Sequence, residues 1–329
     1  MNASVVTDGW AAGSLLIAAN PEGYRSHFTH DPERTWPETN CYFDLWIEVL
    51  HALGMDPLPG FACTLSADHD GLQWSFIKQP PEDLRRLYGL EVTEENVWLP
   101  LLETIESGPR RQALHTVEVD SWWLPDTAGT SYRADHVKTT IVPTRVDRQA
   151  RVMWYLHNAG LYELRDDDFD GVFGTSEGTA VALPPYVEQI RRFPDRADAD
   201  AFATVAREHL ARRAPGNPVE RLAAGVCEAM EWLPEAGVAV FHPWAFATLR
   251  QCGATAELAA DYAAYVDDTF TGAGHAAIHF RDVASTAKSV QYKMARVAGG
   301  RQTKPPVEAL DQMVESWQTA MDIMVASVG

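Results

Sequence analysis

The sequence predicts an α+β domain followed by an all-helical one. An amphipathic helix starts at Cys41, alternating apolar stretches between residues 114 and 156 have the period of strands, and from about residue 184 candidate helices follow one another. The change of character falls at 174–185, which sets the expected domains at 1–178 and 179–329. The chain has 329 residues, enough for one large or two ordinary domains with proper cores.

The helix at Cys41 is the clearest element. Tyr42, Leu45, Trp46, Val49, Leu50 and Leu53 recur with a 3.6-residue period, Thr39 or Asn40 can cap the start, and Gly54 followed by Asp56-Pro57 ends it. The Cys41 sulfur therefore lies near a helix N-terminus. Backbone N–H groups and the helix dipole there favour a thiolate, the nucleophilic form, and the same donors can stabilise an oxyanion. A helix-start cysteine can equally be a small buried apolar residue.

Residues 61–65 and 72–77 read as short strands joined at Asp68-His69-Asp70-Gly71. Helices are expected from Pro81 to a stop at Gly89, and over 98–105. Strands follow at 114–119, 137–142 and 151–156, the last two around a turn at 147–149. Counted from Arg148, antiparallel pairing brings His136 and Asn158 to roughly opposite positions. A histidine beside an amide is the orienting half of a Cys-His-Asn site; alone, His136 is equally an ordinary strand-end residue.

Asp166, Asp168, Asp170, Gly171 and Glu177 match the calcium-loop pattern D-x-D-x-D-G-x5-E. No helix is expected on either side, so the stretch reads as an acidic surface loop and no metal is assigned. The helices expected beyond it span 198–213, 218–232, 243–267, 276–296 and 306–326. Basic residues gather there at Arg207, Arg212, Arg213 and Arg221, and again at Lys288, Lys293, Arg296, Arg301 and Lys304. Such runs form a solvated face or dock an acidic partner.

Composition sets the outer bounds. The net charge of −19 excludes general nucleic-acid binding, which needs a basic face. No stretch approaches the ~20 apolar residues of a membrane span, and the N-terminus lacks the basic region of a signal peptide. A cytoplasmic protein is expected. The four cysteines, Cys41, Cys63, Cys227 and Cys252, are scattered without a C-x-x-C or zinc pattern, as thiols in a reducing compartment are.

The 39–46 segment, the 126–132 loop, the 136–140 strand and the His157-Asn158-Ala159-Gly160 run together resemble a bacterial family, domain of unknown function 1839, over nearly the whole chain. The order of a helix-start cysteine, Asp120-Ser121-Trp122-Trp123-Leu124-Pro125, a strand-opening histidine and a hairpin ending in Asn more distantly resembles the N-terminal domain of the butirosin-biosynthesis protein H type. That resemblance implies a papain-like fold, with a helix packed on an antiparallel sheet, and transfer of an acyl group from a carrier-protein thioester to an amine. It implies Cys41 as nucleophile, His136 as base and Asn158 as the group orienting the imidazole. Papain-like enzymes usually carry a Gln shortly before the cysteine as oxyanion donor. None precedes Cys41 here, which leaves Asn40 and the Cys41 N–H as candidates. Tyr42, Trp46, Asp120, Trp122 and Trp123 are candidates for the pocket, the aromatics as a dry wall or as ordinary core.

The expected function is thus an acyl or aminoacyl transferase in specialised metabolism. It would bind no cofactor of its own, take its substrate from the phosphopantetheine of an acyl carrier protein, and use a small-molecule amine as acceptor. A cysteine amidohydrolase or peptidase of the same fold, and a non-catalytic scaffold, are the alternatives.

Overall fold

The computed structural model describes residues 15, 17–175, 185–198 and 200–329. Glu177, part of the N-terminal apolar run and most of the expected boundary at 174–185 lie outside the described residues. The chain divides into two compact units that alternate along the sequence. The first holds Cys41–Pro57, Pro80–Ala199 and the described residues before Thr29; the second holds Thr29–Asn40, Leu58–Gln79 and Asp200–Gly329. The single cut expected near residue 178 is replaced by this alternation.

In the first unit, α1 spans Cys41–Ala52 and α2 spans Pro81–Tyr88, which Gly89 closes at φ 67°. Then come β1 (Leu90–Glu94), α3 (Leu101–Glu106), α4 (Gly108–Arg111), β2 (Ala113–Asp120), β3 (Lys138–Asp147), β4 (Val152–His157), β5 (Gly160–Arg165), α5 (Asp166–Phe173) and β6 (Val187–Arg192). The strands form one antiparallel six-stranded sheet in the order β1-β6-β2-β3-β4-β5. Successive strand residues point to opposite faces. Val142, Leu156 and Ile190 join one core with Tyr42, Leu45, Trp46, Val49 and Leu50 of α1. Ile141, Tyr155 and Val187 join a second core with α3 and α5.

Helix α1 is more buried than its sequence period implies. Phe43 and Ile47 are buried as well, and so are Asp44 and Glu48. Burial pushes the Glu48 carboxyl up to about 7, against the Tyr24 hydroxyl and His27 N–H that donate to it. A buried carboxyl needs such donors, because an unpaired charge there costs several kcal/mol.

The expected acidic loop at 166–173 is instead helix α5. Asp166, Asp167 and Asp168 occupy its first turn, where the helix dipole favours negative charge. Asp168 accepts from Tyr132 Oη at 3.0 Å and pairs with Arg133; Asp170 pairs with Arg151 and accepts from Thr175 Oγ1 at 2.7 Å. The glycine of the apparent motif is a packing residue. A Cβ on Gly171 would stand 2.0 Å from the Trp123 ring.

The second unit is helical: α6 (Ala201–Ala211), α7 (Pro218–Ala245), α8 (Gln251–Val266), α9 (Ala276–Ala298) and α10 (Val307–Val328). Helix α7 breaks at Gly237, φ 77° and ψ −177°, beside Pro234. The expected hairpin at 61–77 is absent. Leu58–Ser66 is a 3-10 helix of 9 residues, and only a His69–Trp74 bridge remains of the pairing. Short apolar runs do not distinguish a strand from another buried segment.

Two tryptophans anchor the early segments to this unit. Trp36 Nε1 donates to the Ala284 carbonyl at 2.9 Å, its ring lies against Gly253, and the Lys288 ammonium sits 4.2 Å from the ring centroid. Trp74 Nε1 donates to Thr255 Oγ1 at 3.1 Å and its ring meets Trp317 edge to face. Several of the clustered basic residues also serve the fold. Arg207 and Arg213 donate to the Val328 and Leu210 carbonyls, Arg221 pairs with Asp68, and Lys288 donates to the Thr35 carbonyl. Arg296, Arg301 and Lys304 are exposed.

Gly171→Ala forces a methyl into the Trp123 ring. Overpacking of this kind costs about 1–3 kcal/mol. Urea unfolding should show a lower midpoint at unchanged slope. Added calcium should leave the wild-type midpoint where it is.

Candidate active site

Cys41 is the first residue of α1, where backbone N–H groups have no intrahelical acceptor. It is half-buried. Helix α1 packs on β3 and β4, and the thiol meets the start of β3. Burial pushes the thiol above its ordinary range; the Thr139 hydroxyl, the Lys138 ammonium and the Thr140 N–H oppose that rise, and the Asp44 carboxylate adds to it.

From Thr139 the contacts run inward. Thr139 Oγ1 lies 2.7 Å from His157 Nε2, and His157 Nδ1 lies 2.6 Å from Asp126 Oδ2. The Tyr155 hydroxyl donates to the other Asp126 oxygen. The His157 and Asp126 side chains are 1% and 4% exposed. Burial, and then Asp126, hold the Tyr155 hydroxyl far above its ordinary pKa, so it remains a donor.

Strand geometry accounts for the meeting. Val142 pairs with Leu156, so the register continued by one residue sets His157 opposite Ile141. Thr139, two residues before Ile141, is then the diagonal neighbour of His157 on the same face, within side-chain reach. Asp126 arrives from the other side. After β2 the chain makes two 3-10 turns, Ser121–Trp123 and Pro125–Thr127, and the second carries Asp126. Buried Leu124 fixes the corner in the second core.

The residues expected at the site fall in different places. The His136 side chain is 70% exposed; its Nδ1 lies 2.6 Å from Asp120 Oδ2 and its ring stacks on Trp122 at 4.6 Å. It precedes Thr139 by three residues, about 10 Å along an extended chain. Asn158 lies in the two-residue turn between β4 and β5 with φ 44°. The expected pairing of His136 with Asn158 is corrected by the register, which sets Asn158 level with Thr140. The turn centres beyond Arg148, and the bulge between Pro143 and Arg145 recovers only one residue of that shift.

The Asn40 amide donates to the Ile77 carbonyl at 3.1 Å and to Gln251 Oε1 at 3.4 Å. Tyr42 and Trp46 belong to the first core, where the Tyr42 hydroxyl donates to Glu188 Oε2 at 2.7 Å. Trp123 packs on the second core. Trp122 and Asp120 accompany His136, so the aromatic candidates do not share one wall. Thr139, His157 and Asp126 all lie in the stretches that carry the family resemblance. The available signal was alternation: Met153, Tyr155 and His157 share a face, and a histidine continuing a buried apolar face needs a polar partner.

The chain matches the N-terminal domain of the DUF1839 family over residues 25–192 and its C-terminal domain over residues 195–326. It belongs to that family. No curated protein matches it. Among the described residues, no helix is long and apolar enough to cross a membrane, and no group of three or more His, Cys, Asp or Glu is placed to hold a metal ion.

Because burial raises the Cys41 thiol, it is protonated at neutral pH and ionises only above the ordinary thiol value of about 8.5. Iodoacetamide alkylation followed by peptide mass spectrometry should give Cys41 a rate that climbs with pH through an inflection above that ordinary value. Buried Cys252 should react only on unfolding.

Proposed function

We propose that the protein is a papain-like cysteine acyltransferase, which takes an acyl or aminoacyl group from a carrier-protein thioester onto Cys41 and passes it to an amine. The observation that carries this reading is the buried His157–Asp126 pair, whose imidazole meets Thr139 near the start of β3, on the sheet against which the Cys41 helix packs. A nucleophile, a base and a group orienting the base are the parts that acyl transfer through a covalent enzyme requires. In this reading His157 and Asp126 take the roles that the sequence suggested for His136 and Asn158.

The Cys41 sulfur attacks the thioester carbonyl while its proton passes to His157. The tetrahedral oxyanion faces the start of α1, where the helix dipole favours negative charge. The carbonyl–sulfur bond of the donor breaks, and the phosphopantetheine thiol leaves with the proton from His157. An amine then attacks the acyl-enzyme, gives a proton to His157 and displaces Cys41, which recovers that proton. The products are an amide and the starting enzyme.

The state of the thiol supports a thioester donor over an amide. A thiol held protonated by burial needs base assistance at each turnover. A thioester expels a thiol readily, whereas an amide must expel an amine. Exposed Arg296, Arg301 and Lys304 offer positive charge to an acidic carrier on a chain of net charge −19.

The test is an intact mass of the protein after incubation with an acyl- or aminoacyl-loaded carrier, beside Cys41→Ala. A mass increase lost in the variant, followed by amide formation on adding amines, is the expected result. Free acid instead of amide identifies a hydrolase. No adduct and no faster loss of loaded carrier than with the variant, across several carriers, overturns the reading.

A further inference from the structure

We propose that the helical unit binds a free aromatic α-amino acid, in a cavity with Trp317 at its floor and Arg213 and Asp322 at its rim. The cavity measures about 370 Å³, the size of a small-molecule pocket. Every residue that lines it belongs to the second unit, so the site stands apart from the acyl chemistry proposed for Cys41.

The walls are built from the sequence up. Helix α6 ends at Ala211 and α7 begins at Pro218, and the chain between them turns at Gly216, φ 80°. Polar contacts pin this loop. Arg221 donates to the Pro215 carbonyl at 3.2 Å and to the His69 carbonyl at 2.6 Å, and pairs with Asp68. The Asn217 amide donates to the Val314 carbonyl of α10 at 2.9 Å, and its Oδ1 accepts from the Val219 N–H. A wall held this way keeps its shape before a ligand arrives, which lowers the ordering cost of binding. On α10, Trp317 and Met321 are one helical turn apart and buried, while Gln318 and Asp322 form the next row and are exposed. Buried Leu65 and Leu210 complete the apolar part.

Three groups are left for a ligand. Trp317 is 3% exposed, with its ring packed edge to face on Trp74 and Phe280. Trp36 and Trp74 of the same unit donate their indole N–H to protein oxygens. The Trp317 N–H has no acceptor among the described residues, yet it is not sealed from solvent. A ring so covered opens its N–H on the cavity it lines, and a covered indole N–H calls for a partner. Arg213 is held by its Nε, which donates to the Leu210 carbonyl at 2.9 Å, so both terminal nitrogens remain to donate elsewhere. Asp322 accepts from the Gln318 amide at 2.9 Å and has no cationic partner among the described residues. Asp68, the other acid of the lining, is already paired with Arg221.

These groups select the ligand by charge. A plain carboxylate satisfies Arg213 but is repelled by Asp322, and a plain amine meets the reverse problem. An α-amino acid carries both charges on one carbon. Its carboxylate accepts from the Arg213 fork and its ammonium donates to Asp322. The side chain is then directed between Leu65, Leu210 and Met321, where an aromatic ring buries its faces against aliphatic carbon and thioether sulfur. At the floor the Trp317 N–H needs an acceptor, and the phenolic oxygen of tyrosine supplies one.

Titration calorimetry on the full chain tests this with L-tyrosine and three analogues that each lack one group: tyramine without the carboxylate, hydroxyphenylpropionate without the ammonium, and phenylalanine without the phenolic oxygen. Tyrosine should bind, and each analogue should bind about 10-fold more weakly, the size of one lost hydrogen bond in such a site. Arg213→Gln should weaken tyrosine about 10-fold and leave tyramine unchanged. Asp322→Asn should weaken tyrosine similarly and leave hydroxyphenylpropionate unchanged. Both rim residues are exposed, so neither change disturbs the core. In protein labelled on its indole nitrogens, tyrosine should move one N–H resonance by NMR, the one missing from Trp317→Phe.

Absence of heat and of any indole shift at millimolar tyrosine would overturn the proposal. So would equal affinity for all four compounds, or tyrosine binding that neither rim variant weakens. Should Trp317→Phe fail to fold, the two rim variants and the analogue series still decide the matter.

Discussion

A carboxylate and an imidazole, 2.6 Å apart and withdrawn from water, set the terms for the surrounding sheet. Removing one partner of such a pair leaves an uncompensated buried charge, at a cost of about 3–5 kcal/mol. Each remaining polar atom of the pair therefore has a neighbour. Tyr155 serves the free carboxylate oxygen and Thr139 serves the free ring nitrogen. Those neighbours come from β3 and β4, whose register is in turn fixed by the alternation that buries Ile141 on one face and Val142 on the other. The two 3-10 turns after β2 exist within this frame as the route by which Asp126 arrives.

Elements held by local chemistry were the ones legible in the sequence. The period of Tyr42, Leu45, Trp46, Val49 and Leu50 gave α1, and Gly89 marked the end of α2 at a positive φ. The site was half legible. Cys41 announced itself by its place at a helix start, and the stretches holding Asp126, Thr139 and His157 were singled out. Their contacts were not, because they depend on the β3–β4 register, and counting from Arg148 placed the turn too early. An acidic repeat with a central glycine looked like an ion site, yet its acids answer Arg133 and Arg151, and its glycine answers Trp123.

His136 and His157 each have a carboxylate partner, at opposite extremes of exposure. His136 has a carboxylate and an aromatic ring beside it, as a catalytic histidine often does. Its exposure keeps both contacts weak, since water competes for each of them. His157 has the same kind of carboxylate partner with the water removed.

The alternation of the two units along the chain also governs the order in which the protein can be completed as it is made. Trp36 waits for a carbonyl 248 residues further on, and Trp74 for a hydroxyl 181 residues away. At roughly 5–20 residues per second on the ribosome, those tryptophans spend about ten seconds to nearly a minute without their partners. The helical unit cannot close on its own early segments until nearly the whole chain has emerged. The nascent protein thus carries two large apolar side chains that wait for their cover until synthesis is almost over.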